Sequence, residues 1–134
     1  MFENISVKNA LKLAYEGRAV LFDIREEEEY KIGHLPMAEH VPEEILVSRV
    51  KEERRKKDIS QFGDGIQNQM QKKIILYCAF GNQSMRLAKE LSEAGYKNIA
   101  SIVGGYHAYE GYVEAQKNQF WTMEWKSRGW PGTV

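Results

Sequence analysis

IILYCAFGNQS, residues 74–84, holds the one cysteine of a 134-residue chain. Four strand-type residues, Ile74 to Tyr77, run straight into Cys78. Gly81 permits a sharp turn, and helical spacing begins at about Ser84, with Leu87, Ala88 and Leu91 on one side and Gly95 as the stop. A short buried strand, a tight loop and a helix in this succession form the repeating unit of a parallel sheet covered on both faces. In such sheets the reactive rim lies beyond the carboxyl ends of the strands. Cys78 occupies that kind of position.

The same rhythm extends in both directions. Ser6 caps a helix whose apolar positions are Val7, Ala10, Leu11, Ala14 and Tyr15, with Gly17 as its stop. AVLF (19–22) reads as a strand ending at Asp23, REEEEYKIG as a short polar helix closed by Gly33, and EHVP (39–42) as a brief strand with Pro42 at its exit. Residues 43–57 start as an amphipathic helix on Ile45, Leu46 and Val50 and end in the charge run KEERRKK, read as a solvated face. Residues 58–71 have loop composition. NIASIV (98–103) is a further strand, GG a turn, and residues 106–118 a final helix. The expectation is one α/β domain over residues 1–134, a three-layer fold with a parallel sheet of about five short strands and helices on both faces.

Composition narrows the function. Hydrophobic residues at 43% and charged residues at 28% describe an ordinary globular chain rather than a disordered one. Nineteen basic and nineteen acidic side chains cancel, which argues against nucleic acid or an anionic membrane as partner. A single cysteine makes no internal disulfide and no multi-cysteine metal site, and His40 and His107 have no ligand-spaced companions, so no metal or other cofactor is expected. The N-terminus lacks the basic start and apolar stretch of a secretory signal, and no window is long enough to span a bilayer; a cytoplasmic location is the expectation.

A loop curled over a helix N-terminus turns backbone N–H groups inward and adds the positive end of the helix dipole. That setting favours an anion at the centre of the loop, and the thiolate is the reactive form of cysteine. The competing reading of Cys78 is a small core residue, since free cysteine is among the most buried residue types.

Two further segments flank the loop. FDIREEEEYKIGHLPMAEHVP (22–42) resembles the Asp-x-Arg…Glu-Tyr…Gly-His-Ile-Pro-x-Ala…Pro signature of the rhodanese family at Asp23, Arg25, Glu29, Tyr30, Gly33, His34, Leu35, Pro36, Ala38 and Pro42. IVGGYHAYEGY (102–112) resembles that family's Gly-Gly segment at Gly104, Gly105, Tyr106 and Tyr109. The resemblance spans about residues 5–115. It implies a single-domain sulfurtransferase in which Cys78 carries a persulfide inside a cradle of Ala79, Phe80, Gly81, Asn82 and Gln83. Ser84 would serve as helix cap or anion ligand. The implied partners are a small sulfur donor such as thiosulfate and a thiol or protein acceptor.

Departures from the pattern are informative. Many family members close the cradle with arginine; Gln83 donates hydrogen bonds but brings no charge for thiosulfate. Ala79 and Phe80 make the mouth apolar, which suits a thiol acceptor better than a small hydrophilic ion. The related Cdc25-type phosphatases need Cys-x5-Arg, and position 84 is serine, so phosphatase or arsenate reductase chemistry is not expected. By the same resemblance Asp23 and Arg25 form a structural brace and His34 stabilises a turn. Glu26 to Glu29 read as a solvated first turn.

FWTMEWKSRGWPGTV, within the extension at about 118–134, carries all three tryptophans. They either pack on the domain surface or make a dimer or partner contact. A non-catalytic recognition module, using residues 58–71 and this tail, is the rival to the enzyme.

Overall fold

The computed structural model describes residues 2–55 and 72–127, with side chains described within 2–49 and 72–118. Its strands are β1 (Glu3–Ile5), β2 (Ala19–Asp23), β3 (Ala38–His40), β4 (Lys73–Tyr77) and β5 (Ile99–Ile102). The helices are α1 (Val7–Tyr15), α2 (Glu27–Ile32), α3 (Glu43–Arg55), α4 (Asn82–Glu93) and α5 (Gly105–Ser127). The strands form one parallel sheet in the order β1-β5-β4-β2-β3. Among the described residues, no helix is long and apolar enough to cross a membrane.

Alternation along β4 divides the core. Ile74 and Leu76 point to one face, where they join Phe22, Ile99, Leu46 of α3, and Leu87, Ala88 and Leu91 of α4. Ile75 and Tyr77 point to the other, against Val7, Ala10 and Ala14 of α1 and the tyrosines at the start of α5. Both faces of the strand are buried, so the run reads as unbroken apolar sequence rather than as alternation. Cys78 continues the β4 alternation onto the α4 face.

Local chemistry sets the ends. The Ser6 side chain accepts from the Asn9 N–H at 3.2 Å and starts α1. Glu26 and Glu29 close a reciprocal capping box on α2, which gives two members of the glutamate run a definite task at that helix start.

Some expectations shift. β1 was not foreseen; it is a three-residue edge strand with two exposed positions and no apolar run, held by its pairing to β5. α4 starts at Asn82, two residues before Ser84, because Gly81 takes the cap with φ +99. β3 begins at Ala38 rather than Glu39. α5 continues past 118 to Ser127, so the backbone at Trp121 and Trp125 is helical. Residues 58–71 and Trp130 lie outside the described residues, as does the end of the KEERRKK run.

Candidate active site

The β4–α4 loop is held from two sides. On the inner side, the N–H groups of Gly81 and Ser84 donate to the Cys78 sulfur at 3.1 and 3.3 Å. The Ser84 hydroxyl lies 3.5 Å from the same atom. On the outer side, the carbonyl oxygens of Cys78 and Ala79 accept from the N–H groups of Tyr106 and His107, at 2.8 and 3.0 Å. The first turn of α5 thus draws the loop carbonyls away from the sulfur, and the amides are left facing it. N–H groups at a helix start carry the positive end of the helix dipole.

Gly105 makes this possible. It has φ +59, and a Cβ there would overlap the Cys78 carbonyl oxygen and come within 2.9 Å of the Ala79 carbonyl group.

Cys78 is only 3% exposed. The strand-end position matches the expectation, but the loop closes over the thiol, and Cys78 belongs to the buried cluster that includes Phe22, Ile24 and Leu87. Phe80, Asn82 and Gln83 are exposed, Ala79 half-buried, and Gly81 and Ser84 buried. The cradle is therefore backbone inside and side chain outside.

Asp23 and Arg25 lie at the end of β2 as a buried pair. The carboxylate accepts from the Arg25 main-chain N–H at 2.9 Å and from its guanidinium at 2.7 to 3.1 Å. Arg25 Nη2 also donates to the Gly33 carbonyl at 2.6 Å, and the guanidinium stacks 4.1 Å over the Tyr106 ring. Burial opposes its charge, but hydrogen bonding to Asp23 and the charge of Asp23 outweigh that and raise its proton affinity above the ordinary level. One side chain so joins β2, the α2–β3 connection and α5.

His34 does not approach the sulfur. It is exposed, its Nδ1 is 2.8 Å from the Tyr30 carbonyl oxygen, and its ring stacks on Tyr30 at 3.8 Å. His40 similarly hydrogen-bonds the Arg25 carbonyl at 2.8 Å. Arg86 is exposed and pairs with Glu43 at 2.9 Å, outside the cradle. Among the described residues, no cluster of three His, Cys, Asp or Glu side chains is arranged to hold a metal ion.

Tyr77 ends β4 with no exposed surface. Its hydroxyl accepts from the Leu35 N–H at 3.1 Å. Burial pushes the phenol far above its ordinary value; the Leu35 N–H pulls the other way, and Asp23 adds to the rise. A group with a raised folded-state value holds its proton where the unfolded chain loses it. Its contribution is intact below about pH 10 and is lost as pH rises beyond that. Tyr77→Phe therefore costs about 1–3 kcal/mol near neutral pH by orphaning the Leu35 amide. The difference from wild type narrows in urea unfolding at about pH 10.5. A difference that stays constant between about pH 8 and 10.5 contradicts this account.

Among the described residues, two cavities open beside the loop. One of about 320 Å³ is lined by Ala79, Phe80, Ile32, Tyr106, His107 and Glu110, with Arg25 and Glu29 at its wall. The other, about 150 Å³, lies between Gln83, Ala79 and Glu26, Glu29 and Glu44. Nothing local in the sequence links His107 or Glu110 to residue 78, and Glu26 and Glu29 belong to the run expected to face solvent.

The model of the rhodanese-like domain matches residues 6–112. The chain belongs to the rhodanese-like family. Solved relatives of this rhodanese-like chain include a Rhodopseudomonas palustris protein of unknown function described as a possible tyrosine phosphatase. It is 27% identical, with 84% of this chain and 82% of that one covered and a TM-score of 0.66. The human single-domain sulfurtransferase TSTD1 is 22% identical over 81% of this chain and 95% of its own, with a TM-score of 0.57. A rhodanese-related protein from Thermoplasma volcanium is 21% identical over 82% and 92%, also at 0.57. At these identities the last two speak for the rhodanese fold.

Proposed function

We propose that this chain is a sulfurtransferase that carries sulfane sulfur as a persulfide on Cys78. The observation that carries the reading is the pair of amides, Gly81 and Ser84, aimed at the cysteine sulfur at the start of α4. The Cys78 thiolate attacks the outer sulfur of a donor such as thiosulfate. An S–S bond forms to Cys78, the donor's own S–S bond breaks, and sulfite leaves with the electron pair. Cyanide in an assay, or a thiolate in the cell, then attacks the outer sulfur. Thiocyanate or a new persulfide forms and the Cys78 thiolate returns. Neither half needs an oxidant or a cofactor. Ala79 to Ser84 form the substrate loop, Asp23 and Arg25 brace its rim, and His34 supports the adjoining turn.

The mouth favours a thiol acceptor. Phe80, Tyr106 and Ile32 supply apolar surface, while Glu29 and Glu110 disfavour a dianion. Arg25, at the wall, is already committed to Asp23 and Gly33. Gln83→Arg accordingly lowers the thiosulfate KM about three- to tenfold. An unchanged KM in steady-state assays removes the charge argument.

The test of the function is intact mass after incubation with thiosulfate. The wild type gains one sulfur atom, cyanide removes it, and Cys78→Ser gains none. Burial of Cys78 favours the rival reading, a recognition module that keeps the fold without turnover. Absence of any sulfur adduct with thiosulfate or an organic polysulfide would establish that rival.

A further inference from the structure

Ser101 is a hydroxyl placed where a core side chain is due. It lies on β5, 1% exposed, between Ala100 and Ile102, and it shares with Ile99 the strand face that carries α4. A buried hydroxyl is costly unless it is hydrogen-bonded. Among the described residues its side-chain partner is the Ser84 hydroxyl, at 2.8 Å. Ser84, itself fully buried in the first turn of α4, reaches the Gly81 carbonyl at 3.3 Å and the Cys78 sulfur at 3.5 Å.

The hydrogens can be counted. Ser84 has one O–H and three neighbours around its oxygen: a carbonyl, a sulfur and the Ser101 hydroxyl. With Cys78 as a thiol, the S–H donates to Ser84, Ser84 donates to the Gly81 carbonyl, and Ser101 donates to Ser84. Every group is then satisfied. With Cys78 as a thiolate, no S–H remains, and the Ser84 hydrogen turns from the carbonyl to the sulfur. That gives the charged atom a third donor besides the Gly81 and Ser84 amides. The turn is open only while Ser101 donates to Ser84 rather than accepting from it. Without Ser101, the Ser84 oxygen loses the short bond that anchors it.

We propose that Ser101 is a positioning residue whose hydroxyl holds Ser84 as a switchable donor to the Cys78 sulfur. The inference rests on Cys78 being the reactive atom, but its test does not require sulfur transfer. Ser101→Thr and Ser101→Val are matched in shape and differ in the hydroxyl alone. The readout is the pH profile of Cys78 alkylation by iodoacetamide. The profile of the Val variant moves to higher pH by about half a unit relative to Thr, which stays near wild type. Where the wild type also takes up sulfur, loading of the Val variant slows about threefold or more, with the donor KM changing less.

Coincident alkylation profiles for Thr and Val overturn the proposal, even if both variants melt lower, since lower stability alone is a packing effect. Should the two larger side chains prevent folding, Ser101→Ala adds no volume. Its profile must then move upward from wild type, and an unmoved profile overturns the proposal equally. A wild type that forms no persulfide overturns the sulfurtransferase reading, while the alkylation comparison still decides the place of Ser101.

Discussion

Replacing Cys78 with serine lowers sulfur transfer by about a thousandfold or more, to background, because no other atom in the cradle accepts sulfur. The fold survives the change. Serine is nearly the same shape, and its oxygen accepts from the same Gly81 and Ser84 amides that reach the sulfur. Stability should stay within about 1 kcal/mol of wild type. Steady-state transfer to cyanide, measured beside a urea melt, separates the two effects. Turnover retained in the serine variant would remove Cys78 from the reaction, and a collapse of stability would make it a core residue first.

The second large effect is on stability. Asp23 has no exposed surface and Arg25 very little, so Asp23→Ala leaves a guanidinium buried without its counter-charge. Breaking such a pair from one side costs about 3–5 kcal/mol. Replacing both partners with apolar residues of similar volume, as in Asp23→Leu with Arg25→Met, costs clearly less, because no orphan charge remains. The double variant still forgoes the Arg25 bond to the Gly33 carbonyl and the stack on Tyr106. Chemical unfolding of the single and double variants forms the cycle that decides it. A loss below about 1 kcal/mol for Asp23→Ala would mean that the pair does not brace the rim.

How far the sequence could be read follows from the range of the interactions. β4 and α4 were legible because period and punctuation lie within a dozen residues: four apolar positions, a glycine, then Leu87, Ala88 and Leu91. β1 was not, because Glu-Asn-Ile has no pattern of its own and is a strand only through β5, almost a hundred residues later. The start of α4 was misplaced by two residues because a glycine with positive φ took the cap that Ser84 was expected to supply. The place of Cys78 at a strand end is legible in the same stretch. Its supports were not all visible. Gly105 and Ser101 act on residues more than fifteen positions away, and in one dimension they read as a turn and a small residue in a strand. The acidic run was legible as a helix start, but its position at a cavity beside Gln83 depends on how β2 and β4 lie side by side.

The tie between α5 and the loop carbonyls has a consequence for how such a protein can change. The hydrogen-bonding groups described around the sulfur belong to the main chain, apart from one hydroxyl, whereas the side chains at 80, 82 and 83 are exposed. On the proposed function, reactivity and choice of substrate then fall to separate sets of atoms. Mutation can redraw the outer lip, one exposed position at a time, while the chemistry beneath it is inherited unaltered.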